Sequence, residues 1–386
     1  MVSEAQQIQR WFHERQTEIV SLTRRLVQTE SPSEDESGSR GVVGILAEAA
    51  SGISCVQSIE KVEAPGFGQH LIIRAFHDQS DTPQILVVGH TDTVHPRGSL
   101  GQRPWHEETD RIYAPGIFDM KANCALAIGV LKACDDLKIT PSYGLTLALT
   151  CDEEIGSFSG WPLLEKIARD KPTRCVFVLE PPAPGGAVKT GRKGTGIYSL
   201  KVEGRAAHAG LDPEKGASAI LELARQIERL HKMNNSGRGI TVNVGVIQGG
   251  TRSNVVAAEA TAEIDTRFST PDEMREVDQA VLNLKPVDER VRLIVTGGVN
   301  RPPLERTKHV EELYRLAQRI SASLGFELGE AQVGGASDGN FLAGMGIPVL
   351  DGLGIDGDGA HAAHEHIKTD DISRRGALIT SLIASV

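Results

Sequence analysis

One short apolar run constrains the fold of this chain more than any other stretch. Residues Ile85–Val88 are branched and apolar, and Gly89 ends the run just before His90 and Asp92. A short apolar run bounded by turn residues is typical of a strand buried on both faces, as in a parallel α/β sheet. We therefore expect His90 at the carboxyl end of that strand, where open α/β sheets place their sites.

The spacing of His90 and Asp92 suits a metal ligand and its supporting carboxylate. One imidazole nitrogen binds the metal, and the N–H of the other nitrogen is held by the carboxylate. A histidine with an aspartate two residues later also occurs in ordinary capped turns. This pair alone therefore leaves both interpretations open, and the rest of the chain has to decide.

Other strand-like segments also lead into candidate ligands. The run Leu145–Thr150 precedes three consecutive acids, and Val176–Glu180 is an apolar run that ends in one. Asp119 stands before the helical run Ala122–Leu137, where an N-cap is the alternative. A bound cation explains acids beside apolar residues better than a solvated turn does. The candidate ligands are His90, Asp119, Glu153, Glu154, Glu180 and His361. Mixed nitrogen and oxygen donors suit zinc, and a carboxylate left over can bridge two ions.

The length and the order of elements predict two domains. A chain of 386 residues exceeds one comfortable core. Residues 193–303 carry the pattern β-α-β-β-α-β, the split βαβ arrangement. We therefore predict an α/β catalytic domain with a mostly parallel sheet, formed by residues 1–192 and 304–386. The segment 193–303 is predicted to be an inserted α+β domain.

Composition excludes some function classes. The formal net charge is −10 and the sequence pI is about 5.7, which argues against nucleic acid and anionic membrane surfaces. Five scattered cysteines without a CxxC motif are typical of buried thiols in a reducing compartment. The first twenty residues lack the pattern of a signal peptide, and no apolar run is long enough to span a membrane. We expect a cytoplasmic protein.

Seven motifs in chain order resemble those of the M20 family of co-catalytic zinc peptidases. They are HTDTV from His90, PGIFDMK to Lys121, CDEE from Cys151, LEP around Glu180, GRAAHAG around His208, GGASDGN from Gly334 and GAHAAHE to Glu365. The resemblance runs from about Gln84 to the C-terminus and is greatest to bacterial glutamate carboxypeptidases. It implies a di-zinc α/β catalytic domain with an inserted ferredoxin-like lid, which also forms the interface of a homodimer.

The resemblance also implies a role for each matching residue. It implies two Zn²⁺ per subunit, with Co²⁺ or Mn²⁺ as alternatives. The implied metal ligands are His90, Asp119, Glu154, Glu180 and His361, with Asp119 shared by both ions. The implied catalytic residues are Glu153 as general base and acid, Asp92 as the residue that orients His90, and His208 as the group that reaches the scissile carbonyl across the dimer.

The implied substrate contacts are Arg267, Asn254, Arg301, Lys189 and Gly335 of GGASDGN. Arginine recognises a carboxylate through two parallel hydrogen bonds, so we expect a substrate with a free carboxylate. Three of these residues also have a purely structural interpretation. Arg267 suits a strand-edge ion pair with Asp265, Asn254 suits a turn amide, and Arg301 suits a loop charge.

We therefore expect a hydrolase that cleaves an amide bond beside a free carboxylate and releases a C-terminal glutamate-like residue. The alternatives are an N-acyl amino acid deacylase, of the acetylornithine or succinyl-diaminopimelate type, and an inactive homologue that binds an amino acid derivative. Four positions depart from the family pattern. Ala122 and Asn123 replace usual glycines, and His366 replaces a usual aromatic residue. His364 occupies a position that is normally not histidine and competes with His361, whose spacing to Glu365 is that of the family.

Overall fold

The computed structural model describes residues 3–77 and 82–386. Their contacts divide the chain into two compact units. The first unit comprises the described residues of Met1–Gly191, Arg306–Val333 and Ser337–Val386. The second comprises Arg192–Glu305 and Gly334–Ala336. The sequence prediction set the insertion at 193–303, and it did not include the short 334–336 segment.

The helices and strands of the described residues are numbered in chain order. The helices are α1 Glu4–Glu14, α2 Gln16–Gln28, α3 Glu36–Ala50, α4 Ser99–Gln102, α5 Ala122–Asp136, α6 Gly160–Asp170, α7 Ala219–His231, α8 Pro271–Leu282, α9 Lys308–Ser323, α10 Gly339–Gly344 and α11 Asp371–Ser385. The strands are β1 Val56–Ala64, β2 Gly68–Ala75, β3 Gln84–His90, β4 His106–Glu107, β5 Arg111–Tyr113, β6 Gly144–Thr150, β7 Thr173–Val178, β8 Val188–Arg192, β9 Gly194–Glu203, β10 Thr241–Gly249, β11 Glu259–Phe268, β12 Arg292–Arg301, β13 Glu330–Val333, β14 Val349–Leu350, β15 Gly357–Asp358 and β16 His366–Lys368.

The first unit is built on a six-stranded mixed sheet with the order β1-β2-β6-β3-β7-β14. Strands β6, β3, β7 and β14 run parallel, while β1 and β2 are antiparallel at one edge. Every residue of β3 is buried, as its branched apolar run predicts, because helices cover both faces of a parallel sheet. The buried helices α5 and α11 contribute to a core that is continuous with this sheet. The predicted α/β class with a mostly parallel sheet is confirmed.

The second unit is a four-stranded antiparallel sheet with the order β10-β11-β9-β12. Strand β9 alternates, so that Tyr198, Leu200 and Val202 are buried while Ile197 is exposed. These residues pack with apolar residues of α7 and α8 into a core of their own. The element order is the predicted β-α-β-β-α-β of a ferredoxin-like fold.

Two local predictions were wrong. The helical spacing of the apolar residues predicts one helix over Gln7–Gln28. The segment forms two helices, α1 and α2, because Arg15 between them has non-helical backbone angles. The polar, turn-rich sequence of Ser31–Gly38 predicts a solvated loop, but this segment is partly buried. The Ser31 hydroxyl donates to the carbonyl of Thr91, 2.7 Å away, at the end of the central strand.

Among the described residues, none of the helices combines the length and the apolar character needed to cross a bilayer.

Candidate metal centre

Three neighbouring parallel strands deliver the candidate ligands to one edge of the sheet. Strand β3 ends at His90, and β6 is followed by the turn that carries Glu153 and Glu154. Glu180 lies two residues beyond the end of β7. Because β6, β3 and β7 are adjacent and parallel, their carboxyl ends meet at this edge.

The first ligand group surrounds the buried imidazole of His90. Its Nε2 atom lies 3.1 Å from Asp119 Oδ1 and 3.4 Å from Glu180 Oε1. The three side chains can each offer one atom to a common metal ion. This group therefore has one nitrogen and two oxygen donors.

The second ligand group surrounds His361, which is half exposed. Its Nε2 atom lies 3.3 Å from Asp119 Oδ2 and 3.1 Å from Glu154 Oε2. Asp119 belongs to both groups, and a different oxygen of its carboxylate faces each histidine. The alternative interpretation of Asp119 as an N-cap was wrong, because it lies inside an irregular turn, Ile117–Lys121, before α5 begins.

The donor set fits a pair of metal ions. Glu154 Oε1 is buried and has no hydrogen-bond partner among the described residues, which is costly for a carboxylate unless a cation binds it. Histidine nitrogen with carboxylate oxygen is a typical donor set of zinc. Among the described residues, this edge of the sheet is the one place where two such groups share a carboxylate.

The acids and histidines also perturb one another's pKa when no cation is bound. Burial raises the pKa of Glu154, although His361 opposes this. Hydrogen bonds to Asp119 and Glu154 raise the pKa of His361 to about 10. Burial would raise the pKa of Asp119, but His361 and His90 together hold it far below its ordinary value. The carboxylates thus favour the charged form of the histidine beside them, as they would favour a metal cation.

Asp92 connects the histidine to the acidic turn. Its two carboxylate oxygens accept the backbone N–H groups of Glu153 and Glu154, each at 3.2 Å. His90 Nδ1 lies 3.0 Å from the backbone carbonyl of Asp92 and 3.4 Å from its carboxylate. Both the carbonyl and the carboxylate of Asp92 thus lie beside His90 Nδ1, and the orienting role of Asp92 stays a prediction.

Sequence reasoning missed several supporting residues. The Ser33 hydroxyl donates to Asp92 Oδ2 at 2.7 Å, from the segment predicted to be solvated. Buried Asp152 accepts the N–H of Ser159 at 2.6 Å and of Gly160 at 3.0 Å, which closes the turn behind Glu153. A serine in a polar loop gave no usable signal. Asp152, the first of the three consecutive acids, was visible in the sequence but had no assigned partner.

A third group of potential ligands, His70, Cys151 and Asp152, is occupied by hydrogen bonds. His70 Nδ1 accepts the N–H of Cys151 at 3.2 Å, and its Nε2 lies 3.0 Å from the hydroxyl of Ser159. The lone pair of Nδ1 is used by a backbone N–H, so Nε2 carries the proton and neither nitrogen of His70 offers a lone pair to a metal. We therefore assign this group a supporting role behind the acidic turn. Burial strongly raises the pKa of the Cys151 thiol.

The predicted substrate contacts are distributed over both units. Lys189 is in the first unit, on β8, and its backbone pairs with that of Asp351. The remaining four, Asn254, Arg267, Arg301 and Gly335, are in the second unit.

Their local contacts favour structural roles for some of them. Arg267 makes two hydrogen bonds to Asp265, at 2.9 and 2.8 Å, which is the strand-edge ion pair named as its alternative. Arg301 is buried at the end of β12 and is not a loop charge. The carbonyls of Asn254 and Gly335 accept hydrogen bonds from Ala209 N and Arg192 Nη1, respectively.

Two further histidines were singled out from the sequence. His208, in the second unit, accepts the N–H groups of Gly210 and Leu211 at its Nδ1, 3.1 and 3.2 Å away. Its proton is therefore on Nε2. His364, the rival of His361, is 64% exposed and its nearest acid is Asp358 at 3.9 Å. It takes no part in either ligand group.

Residues 86–385 match peptidase family M20/M25/M40. The chain belongs to this family. Carboxypeptidase G2 of Pseudomonas sp. (strain RS-16) is 29% identical over 78% of this chain and 73% of its own length. Succinyl-diaminopimelate desuccinylase of Delftia acidovorans is 27% identical over 92% of this chain and 94% of its own. The crystal structure of aminopeptidase PepT of Bacillus cereus covers 96% of this chain and 98% of its own, with 22% identity and a TM-score of 0.75.

Membership of the M20 family makes this protein a metal-dependent hydrolase of the metallopeptidase class. The resemblance noted in the motifs is thereby confirmed. The inactive-homologue alternative predicts a missing ligand or base, and every candidate ligand and Glu153 is present here.

Proposed function

We propose that this M20 hydrolase is a di-zinc carboxypeptidase that cleaves an amide bond beside a free carboxylate and releases a glutamate-like residue. The observation that carries the proposal is the shared carboxylate of Asp119, whose two oxygens face two separate ligand groups. His90 and Glu180 would hold one ion, and Glu154 and His361 the other. Co²⁺ and Mn²⁺ suit the same donors.

The chemistry divides between the ions and the protein. Bound metal ions lower the pKa of water and polarise the substrate carbonyl. Glu153 lies in the same turn as Glu154, and Asp92 fixes its backbone. We assign to Glu153 the removal of the proton from the attacking water and its delivery to the leaving amine.

His208 is proposed to stabilise the negative charge that develops on the scissile carbonyl. Because its Nδ1 accepts two backbone N–H groups, its Nε2 carries the proton and can donate a hydrogen bond. A donor of this kind is worth about 3–4 kcal/mol of transition-state stabilisation. The two hydrogen bonds to Nδ1 thus support the predicted role of His208 as a donor.

A substrate panel tests the proposed specificity. Purified, zinc-loaded enzyme is assayed with peptides and folate-like amides ending in glutamate, and with N-acetyl and N-succinyl amino acids. We expect the highest kcat/KM on the glutamate amides. Turnover of the acylated compounds alone would contradict a carboxypeptidase. The second candidate, an N-acyl amino acid deacylase, is favoured by the nearly full-length match to the desuccinylase.

We also propose that the second unit forms a homodimer. Strand β10 is an edge strand, and it exposes Val246 and Ile247, 51% and 61% accessible. Ile220 and Leu221 of α7 are also exposed, and Ile220 lies beside the glycines at the end of β10. An apolar edge of this kind is a surface for pairing with another chain.

Light scattering tests the dimer. We expect a dimeric mass for the wild type and a monomeric mass for Ile247→Asp. The matched control is Leu282→Asp, which adds the same charge at another exposed apolar residue, on α8. A monomeric wild type would contradict the proposal.

A further inference from the structure

The carboxylate of Glu365 is buried beneath the turn that carries Asp119. Its Oε1 accepts the N–H groups of Phe118 and Asp119, at 2.9 and 3.0 Å. Its Oε2 accepts the N–H of Gly116 at 2.7 Å. The side chain is 1% exposed. Three backbone donors of one short turn thus converge on a single side chain that is distant in sequence.

A second layer of side chains holds Glu365 in place. His95 Nε2 lies 2.5 Å from Glu365 Oε2, and Arg103 Nη2 lies 3.1 Å from His95 Nδ1. A guanidinium group only donates, so His95 Nδ1 accepts and its Nε2 carries the proton. His95 therefore donates to Glu365. The other end of the Arg103 fork donates to the carbonyl of Ala362, the residue after His361.

The turn needs this support because its backbone is irregular. Asp119 and Met120 have non-helical angles within Ile117–Lys121, and Gly116 has a φ of +70°, which favours glycine. Such a turn cannot satisfy its own N–H groups through a regular helical ladder. Glu365 supplies the acceptors, and the position of the Asp119 carboxylate follows from the position of this backbone.

We propose that Glu365 is a positioning residue, which clamps the Asp119 turn so that the two carboxylate oxygens of Asp119 face the two ligand groups. His95 and Arg103 fix the clamp, and Arg103 also ties it to the loop of His361. This inference rests on the proposed metal centre. Glu365 contacts neither the ions nor the substrate in this role.

The test is the affinity of the metal-free protein for Zn²⁺, measured by calorimetry, with the visible absorption of the Co²⁺ form as a second readout. In Glu365→Gln, one oxygen becomes an amide NH₂. In either orientation, that NH₂ faces two donors, which are Phe118 and Asp119 or Gly116 and His95. We expect about 10- to 100-fold weaker zinc binding, the usual loss when a group supporting a ligand is removed. We also expect a changed Co²⁺ spectrum.

Glu222→Gln is the matched control. Glu222 is likewise a buried carboxylate that accepts two backbone N–H groups, from Val287 and Asp288, but it is in the second unit. We expect it to leave zinc affinity and the Co²⁺ spectrum unchanged. Arg103→Met removes the guanidinium donors of a half-buried side chain. We expect it to weaken zinc binding as well, by a smaller factor than Glu365→Gln.

The outcomes separate the clamp from the metal centre itself. If the wild type binds two ions and Glu365→Gln and Arg103→Met both match it, the clamp is wrong and the metal centre stands. If Glu365→Gln does not fold, Arg103→Met decides, because unchanged zinc affinity there overturns the clamp. If the wild type binds no metal, the proposed function fails and the clamp fails with it.

Discussion

At the scale of single residues, we propose that the two adjacent acids in the turn after β6 have different roles. Glu154 faces His361 and has a buried oxygen without a hydrogen-bond partner among the described residues, as expected of a metal ligand. Glu153 shares its turn but belongs to neither ligand group. Their backbones are both fixed by Asp92. Adjacent carboxylates with different surroundings can therefore take different roles.

Glu153→Gln tests this division directly. We expect kcat to fall by about 10²- to 10⁴-fold, the usual contribution of a general base. Zinc content should remain that of the wild type, because Glu153 is not assigned as a ligand. Steady-state assays with parallel metal analysis measure both quantities. Activity within twofold of the wild type would refute the assigned base.

Single-ligand variants test which acid belongs to which ion. Glu180→Ala and Glu154→Ala should each weaken the binding of one metal ion. Asp119→Ala should weaken the binding of both ions, because its two carboxylate oxygens face the two ligand groups. Zinc titration of the metal-free variants, followed by calorimetry, distinguishes one weakened site from two. Two intact sites in Asp119→Ala would contradict the bridge.

At the scale of elements, apolar runs predicted the strands well, while tertiary contacts decided the rest. The run Ile85–Val88 predicted β3 and the location of His90, because a strand that is buried on both faces consists almost entirely of apolar residues. The break at Arg15 and the burial of Ser31 depend on partners elsewhere in the chain. The clamp by Glu365 joins residues about 250 positions apart, so no local pattern could reveal it.

The buried carboxylate of Glu222, on helix α7, contributes to the free energy of unfolding in a way that depends on pH. Burial would raise the pKa of Glu222, but N–H groups of Val287, Gln226 and Asp288 lower it below its ordinary value of 4.5. The carboxylate therefore stabilises the fold above about pH 4.5, and this contribution is lost as the pH falls through the lowered pKa.

Glu222→Gln should therefore destabilise the second unit by about 2 kcal/mol at pH 7, the scale of a hydrogen bond to a charged group. Urea unfolding followed by circular dichroism gives the free energy of unfolding at each pH. The difference from the wild type should be constant near neutrality and shrink below pH 4.5. A difference that grows on acidification would contradict the assignment.

At the scale of the whole molecule, the chain has two compact units with separate cores. All five proposed ligands are in the first unit, as are Trp11, Trp105 and Trp161, the three tryptophans of the sequence. Tryptophan fluorescence therefore reports on the unit that would bind metal. Circular dichroism reports on both units.

Metal removal should consequently affect the two signals differently. A ligand present at 100 times its Kd stabilises the state that binds it by about 2.7 kcal/mol. We expect chelation to lower the midpoint of the unfolding transition that tryptophan fluorescence detects. An unfolding transition that only circular dichroism detects should keep its midpoint. An unchanged fluorescence midpoint after chelation, with metal loss verified, would contradict the proposal that these five residues of the first unit hold the metal.

The most direct measurement of the shared Asp119 bridge is anomalous diffraction at the zinc edge from crystals of the metal-loaded protein. We predict two anomalous peaks, one beside His90 and Glu180 and the other beside Glu154 and His361, with Asp119 in contact with both. A single peak, or peaks away from Asp119, would contradict the two-metal centre.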